Sequence, residues 1–486
     1  MTKKLFWLGI LGIFIISLAL RFWGLDRFNT LVFDEVYYAK FGHNYLTHVP
    51  FFDGHPPLGK LIIAGGIWLS DRVKDWSDAY NLSFYPDLVN GLSGAVRSPW
   101  GYRWVNALFG SFIPVLVAGI AYQLSYSYGF SLLAGFFTAC DGIFIVESRY
   151  ALINIYIVIF GLLGQFLLLL ALGSQQKQRQ IYLILAGVAF GASLATKWNG
   201  LWFLLGTYSL WVIAWLQRIL SQQSEKNGEN YPLSKFSRIN IFQLALYLGI
   251  IPLIIYSLIW IPHLQLDKRY DFIEVHKQIL GFHERLGGNS SKIHPYCADW
   301  YKWILMIRPM AYYYQTTQKI TDPLPVTGPT LPSGYGKVIY DVHAMGNPFL
   351  WWFGIAILLF LCGMLIWQST NYILQRKTIR LPAQFTRDTW IALYLVINYA
   401  ANLLPWVKVS RCLFIYHYMT ALPFVFMAIA WFVEQCLRSY YKYLRILGVT
   451  VTFIIIAGLI FWLPIYLGLP LLSQDYQLRM WFKSWI

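Results

Sequence analysis

Long apolar runs separated by short polar breaks dominate this chain, and a membrane-spanning helix needs about 20 such residues. Candidate spans cover residues 5–23, 102–124, 128–146, 150–172, 181–197, 200–217, 240–262, 348–370, 388–406, 412–434 and 447–469, about eleven in all. The division over 181–217 is the least sharp, because "ATKWNG" interrupts one apolar stretch. The first run is longer than a signal-peptide core, and no small-x-small site precedes Arg21. It reads as an uncleaved span with Lys3 and Lys4 holding the N-terminus in the cytoplasm. The breaks "QQKQRQ", "QRILSQQSEKNGENYPLSKFSR", "LQRKTIRLPAQFTRD" and "LRSYYKYLR" all fall on one side under this count and all are net basic, as cytoplasmic loops should be. Two long segments, 26–101 and 263–347, then face outward, and both exceed a simple connection. In the first, "LGKLIIAGGIWLSDRVKDW" is too short and too charged to span, which predicts a helix lying along the interface. The second contains "TDPLPVTGPTLPSGYG", where Pro and Gly exclude regular structure. The expected fold is an all-α polytopic membrane protein with a single transmembrane domain over 1–486.

Composition agrees with that pattern. The 486 residues are 57% hydrophobic and 12% charged, against about 25% charged in ordinary soluble domains. Aromatic residues reach 19%, as suits side chains at a membrane–water boundary. The net charge of +16 sits between apolar spans rather than in a basic domain, so it suits topology and anionic lipid and not nucleic acid. Of the five cysteines, Cys140, Cys362 and Cys412 fall in apolar spans, and with Cys297 and Cys436 they show no CxxC or Cys/His zinc spacing. Asn81-Leu-Ser83 and Asn289-Ser-Ser291 match the glycosylation sequon. No Walker loop, kinase set or HExxH stretch supports soluble nucleotide or metalloprotease chemistry.

Charge near membrane depth is costly, about 2.5–3.5 kcal/mol per residue on insertion scales, and calls for an explanation. Asp34 and Glu35 follow the first span; Asp53, His55 and Lys60 surround the Pro56–Pro57 corner, with Lys60 opening the interfacial helix at the headgroups. Arg103, Glu147, Arg149, Lys197, Arg308, Arg411 and His417 lie at the outward ends of other spans. One shared outward cavity would account for them. Arg and Lys can hold a phosphate, and a carboxylate can take the proton of an attacking hydroxyl, so the set fits group transfer from a phosphate-bearing lipid. Plainer readings stand beside this: a solvated acidic pair, a structural histidine, interfacial arginines, a snorkelling Lys197, and a Glu147–Arg149 pair. Asp34, Glu35, Asp53 and His55 could together ligate a divalent metal, although no spacing here is diagnostic.

The stretch "FDEVYYAKFGHNYLTHVPFFDGHPPLGKLI" resembles the first outer loop of the protein O-mannosyltransferases, with their DE pair and FF-x-x-HPPLGK block. The resemblance continues in order through "GYRWVNALFGSFIPVL", "ESRYALINIYIVIF", "ATKWNGLWF", "HPYCADWYKWILMIRPMAYYY", "MGNPFLWW" and "LLPWVKVSRCLFIYHYMTALPF", from about residue 30 to 425. It implies a GT-C glycosyltransferase that moves mannose, with inversion, from a polyprenyl- or dolichyl-phosphate donor to Ser/Thr hydroxyls of a protein acceptor. It also implies Asp34 as catalytic base with Glu35 beside it, Arg149 near the donor, and Arg411 on the phosphate; Lys197 and Arg103 join them as phosphate-binding candidates by their charge at the span ends. His55, Asp53, Lys60, His417 and Arg308 would support them. Asn154 departs from the Asp common in the family. The segment 263–347 is too short for the soluble insert of eukaryotic members, which implies a bacterial inner-membrane enzyme. The rivals are a GT-C transferase moving an arabinose-type sugar to a lipid or glycan, and a lipid-linked-sugar flippase.

Overall fold

The computed structural model describes residues 1–79, 98–220, 232–288, 293–317, 337–375 and 383–486. Both sequons, the turn-rich stretch 321–336 and parts of the basic breaks at 217–238 and 374–388 lie outside the described residues. The chain begins with α1 (Lys3–Phe22), α2 (Glu35–Leu46), α3 (Leu58–Ala79), α4 (Pro99–Ser125), α5 (Tyr128–Ala139), α6 (Gly142–Arg149), α7 (Asn154–Gly173), α8 (Gln176–Leu194) and α9 (Leu201–Leu220). The short α10 (Pro232–Phe236) and α11 (Ile241–Ala245) lead through a π turn into α12 (Ile251–Leu266). Then follow α13 (Phe272–Arg285), α14 (Trp300–Ile304), strands β1 (Met310–Thr317) and β2 (Val338–Ala344), α15 (Pro348–Gln375), α16 (Ala383–Leu403), α17 (Leu422–Arg438) and α18 (Lys442–Tyr466). Strand β3 (Leu471–Leu472) and α19 (Ser473–Arg479) lie near the end of the chain.

Eight of the described helical stretches are long and apolar enough to cross a membrane, and a ninth arises if α5 and α6 are one bent span. The expected count of eleven is not reached on these criteria: α17, with 17 residues, is short, and α8 opens on the polar "QKQRQ". The α5–α6 bend of 58° has a local cause. Asp141 leaves the helix to accept the Phe144 N–H, and it also accepts from the Asn347 N–H and the Trp351 indole. Helices α4, α7 and α17 are central, whereas α1, α12 and α18 present apolar side chains outward as a lipid-facing surface requires. Gly187 and Gly191 let α8 approach the π turn and α12. A Cβ at Gly187 would stand 2.1 Å from the Tyr247 carbonyl, and one at Gly191 would stand 2.8 Å from that of Pro252.

The segment 263–347 carries more regular structure than its composition predicts. Strands β1, β2 and β3 form an antiparallel sheet in that order. Its register is broken between Ala311 and Tyr313, so Tyr312 has no cross-strand partner and its side chain is free to turn away from the sheet. A disulfide between Cys297 and Cys412 joins this segment to the start of the 412–434 region. Gly288 and Arg411 form a β-bridge, and the Ala298 N–H donates to the Leu413 carbonyl at 2.8 Å.

Candidate active site

The connection between α1 and α2 is held by an ion pair without solvent contact. Arg103 on α4 reaches it with Nε and Nη2 donating to Glu35 Oε1 and Oε2 at 2.8 and 2.7 Å. Its remaining donors go to the carbonyls of Leu25, Phe28 and Thr30. Glu35 also accepts the N–H groups of Val32 and Ala151, each at 2.8 Å. Both oxygens of Glu35 and every direction of the Arg103 fork are therefore occupied, and both side chains are fully buried. The structure thus corrects two expectations: Glu35 is not placed for proton transfer, and Arg103 is not placed for phosphate. Together they fix the loop that carries Asp34.

Asp34 differs from its neighbour in every respect. It stands at the N-cap of α2 without capping it, and its carboxylate accepts no hydrogen bond among the described residues. Burial pushes its carboxyl up to about 7; the field of Lys197 opposes this and that of Asp53 adds to it. Phe33, just before it, takes φ +52°, a left-handed conformation costly for an aromatic residue. The Phe33 ring lies flat on Tyr312 with centroids 4.0 Å apart, and the Tyr312 hydroxyl donates to Glu147.

The proline corner supplies a second group. The Leu58 N–H donates to the Ala195 carbonyl at 3.0 Å, which fastens the corner to the end of α8. Gly54 is required by close packing, since a Cβ there would lie 2.5 Å from the Phe282 ring. Lys60 pairs with Asp53 and donates to the His55 carbonyl at 2.6 Å. It is buried at 1% exposure, so the expectation that it reaches the headgroups is corrected: the first turn of α3 folds it back under the corner. His55 is held neutral, well below the usual histidine range, by burial first and then by the charge of Lys197, with His283, Lys60 and Arg411 also disfavouring its protonation. His283 on α13 faces it across 5.4 Å between ring centroids and meets the Gly54 carbonyl at 2.8 Å. Burial and Arg411 bring His283 down to about 4. The sequence reading missed His283, whose only signal was its place in one of the two long outward segments.

Lys197 lies at the junction of α8 and α9, with Nζ 5.3 Å from the centre of the Tyr416 ring. Arg411, Asp34, Glu147 and Asp53 all lie within electrostatic reach of it, and the space among these groups is the candidate cavity. No carboxylate pairs with Arg411 among the described residues; it donates to the Cys412 carbonyl at 3.2 Å. His417 supports this wall by stacking on Tyr416 and Trp303, while its Nδ1 meets the Phe414 backbone. Two arginines lie elsewhere. Arg149 donates to the carbonyls of Leu20, Arg21, Trp23 and Gly24, where it caps the C-terminal end of α1. It is thereby drawn away from a donor role and from Glu147. Arg308 binds the carbonyls of Pro295, Ser484 and Ile486, tying the second long segment to the end of the chain and not to the cavity. Among the described residues no three His, Cys, Asp or Glu side chains converge as a metal site. The four considered for one are divided, with Glu35 on Arg103 and Asp53 on Lys60.

The cavity thus combines one unbonded carboxylate with two cations. Comparison with known proteins points the same way. The sequence profile described as dolichyl-phosphate-mannose-protein mannosyltransferase matches residues 12–266, and that of the C-terminal four-TMM region of protein-O-mannosyltransferase matches 268–485. A polyprenol-phosphate-mannose–protein mannosyltransferase of Mycolicibacterium smegmatis is 24% identical over 94% of this chain and 88% of its own length. One from Corynebacterium glutamicum is 22% identical over 85% and 86%. The Saccharomyces cerevisiae protein O-mannosyltransferase Pmt1-Pmt2 complex bound to the sugar donor shares the fold: TM-score 0.76, 13% identity, covering 100% of this chain and 93% of that one.

Proposed function

The chain belongs to the protein O-mannosyltransferase family of GT-C glycosyltransferases, and on that premise we propose that Asp34 is the general base of mannosyl transfer from a polyprenyl-phosphate donor to a Ser or Thr hydroxyl of a protein. The acceptor hydroxyl gives its proton to Asp34 while its oxygen attacks the anomeric carbon from the face opposite the phosphate. The bond from that carbon to the phosphate oxygen breaks, and the configuration inverts. Polyprenyl phosphate leaves with the electron pair, its negative charge held by Lys197 and Arg411. The observation that carries this reading is that Asp34 alone among the cavity's carboxylates is unbonded, with Lys197 beside it. Its value near 7 suits a base that works at neutral pH.

The enzyme is an integral membrane protein, and the cavity faces outward from a bacterial inner membrane with the N-terminus inside. The Cys297–Cys412 disulfide on the cavity side supports that placement, because such bonds persist in oxidising compartments. The test is transfer from purified polyprenyl-phosphate mannose to an acceptor protein. Asp34→Asn should lower the rate by about 10²–10⁴-fold, and full activity would remove Asp34 from the mechanism. Arg411→Ala should raise the donor concentration needed for half-maximal rate while leaving that for acceptor in place. Label appearing only in lipid would overturn the protein acceptor.

A further inference from the structure

Glu147 and Lys197 are both buried in the cavity wall, yet they do not touch. The amide of Asn154 stands between them. Its Oδ1 accepts from Lys197 Nζ at 3.3 Å, and its Nδ2 faces Glu147 Oε2 and Oε1 at 3.3 and 3.4 Å. The opposite amide orientation would turn NH₂ toward an ammonium and a carbonyl toward a carboxylate, so the two charges determine which way it points. Tyr312, displaced from its sheet by the bulge, closes the far side by donating to Glu147 Oε1.

We propose that Asn154 and Glu147 are positioning residues that hold Lys197 by a shared amide instead of a direct ion pair, leaving its ammonium directed at Asp34 and the phosphate. An ammonium has three N–H donors, and Asn154 takes one of them. A carboxylate at position 154 would capture the ammonium directly and would stand about 3.3 Å from Glu147 as a like charge. An apolar residue there would leave both charges without a shared partner. Asparagine satisfies the pair without neutralising Lys197 in place. This inference rests on the reading of Asp34 as the base, because the relay acts through it. The groups facing Asp34 are Lys197 and Asp53 together with Glu147, Tyr38, Tyr312 and Tyr416, and Arg411 acts on Lys197.

The test uses the acid limb of the pH dependence of kcat/KM, measured with purified polyprenyl-phosphate mannose on full-length enzyme in detergent. Asn154→Asp adds negative charge beside Lys197 and should move the limb to higher pH. Glu147→Gln removes negative charge and should move it to lower pH, each by about half to one unit. The double variant Asn154→Asp/Glu147→Gln restores the charge sum, with the Gln amide facing the new carboxylate, and should return the limb to within about 0.3 unit of the wild type. Glu147 also acts on Asp34 directly, so these charge changes move the limb whether or not Lys197 is held. The charge-neutral Asn154→Leu isolates the relay: it should move the limb to higher pH as Lys197 is drawn onto Glu147 and away from Asp34, whereas a purely structural role would lower activity and leave the limb in place. An unmoved limb in folded Asn154→Leu, or movement of both charge-changing single variants in one direction, overturns the relay. If Asn154→Asp does not fold, Asn154→Leu decides, since it leaves every charge in place: a limb shifted to higher pH supports the relay and an unmoved one in the folded variant refutes it. Asp34→Asn run alongside separates the two readings. If it retains activity, the base and the relay both fail; if it is inactive while the limb stays fixed in the folded variants, only the relay fails.

Discussion

Asp34 and Glu35 are adjacent acids, but their surroundings require that neutralising them change stability in opposite directions. Glu35→Gln keeps the shape and removes the charge opposite a fully buried guanidinium. It also replaces an oxygen that accepts from Arg103 or a backbone N–H with a donor. Breaking a buried pair from one side costs about 3–5 kcal/mol, a large share of the roughly 5–15 kcal/mol that stabilises a folded domain. Asp34 has no such partner. Folding raises its carboxyl from 3.8 to about 7, so the folded protein holds that proton more tightly than the unfolded chain does. The resulting penalty is absent below pH 3.8, grows as pH rises and is complete above about 7. At 1.36 kcal/mol per unit it reaches on the order of 4 kcal/mol, reduced to roughly 2–3 by partial exposure and relaxation. Asp34→Asn should therefore raise the apparent unfolding temperature at pH 8 and change it much less at pH 5. Glu35→Gln should lower it at both. Intrinsic tryptophan fluorescence of the detergent-purified protein reads both effects. A Glu35→Gln variant that melts like the wild type but transfers no mannose would make Glu35 catalytic and refute the reasoning. So would an Asp34→Asn variant equally destabilised at both pH values.

Arg149→Ala removes the cap from the end of α1 and should cost about 1–3 kcal/mol of stability, read as a lower unfolding temperature with donor affinity retained in the folded fraction. His55 is neutral at working pH, so His55→Gln should leave the acid limb of kcat/KM near pH 7, whatever it does to the rate. Reducing the Cys297–Cys412 disulfide, or replacing Cys297 with Ser, should cost about 2–4 kcal/mol and raise the half-saturating donor concentration, because Arg411 adjoins the bridge.

Eight of the expected spans, their order and the position of the Asp34 loop were readable because they depend on local pattern: apolar run length, a proline corner and a run of ordered motifs. The division of labour between Asp34 and Glu35 was not. Neighbouring helical positions point about 100° apart, and the group that claims Glu35 lies on α4, 68 positions along the chain. Arg149 carried the signature of a charged group at a span end, which cannot tell a phosphate from the carbonyls of α1. Strands β1 and β2 had a signal in "MAYYYQTT" and "VIYDVHA", rich in aromatic and β-branched residues, which the intervening Pro and Gly obscured. The disulfide joins cysteines 115 positions apart, a pairing no spacing rule gives.

The backbone just before Asp34 shows how these pieces combine. A left-handed Phe33 costs on the order of 1–3 kcal/mol and persists only where the surroundings over-determine it. They do so from two sides. Glu35 takes the Val32 N–H and couples the loop to Arg103 on α4 and to Ala151 beside α6. Tyr312, turned out of its strand by the bulge, stacks on the Phe33 ring and is itself anchored on Glu147. The strained residue is thus pinned between the transmembrane helices and the sheet, and the Asp34 carboxylate inherits its position from that grip and from the backbone bonds of α2 instead of from side-chain hydrogen bonds. A carboxylate located by its backbone keeps its oxygens free to receive a proton; one located by side-chain bonds, like Glu35, does not.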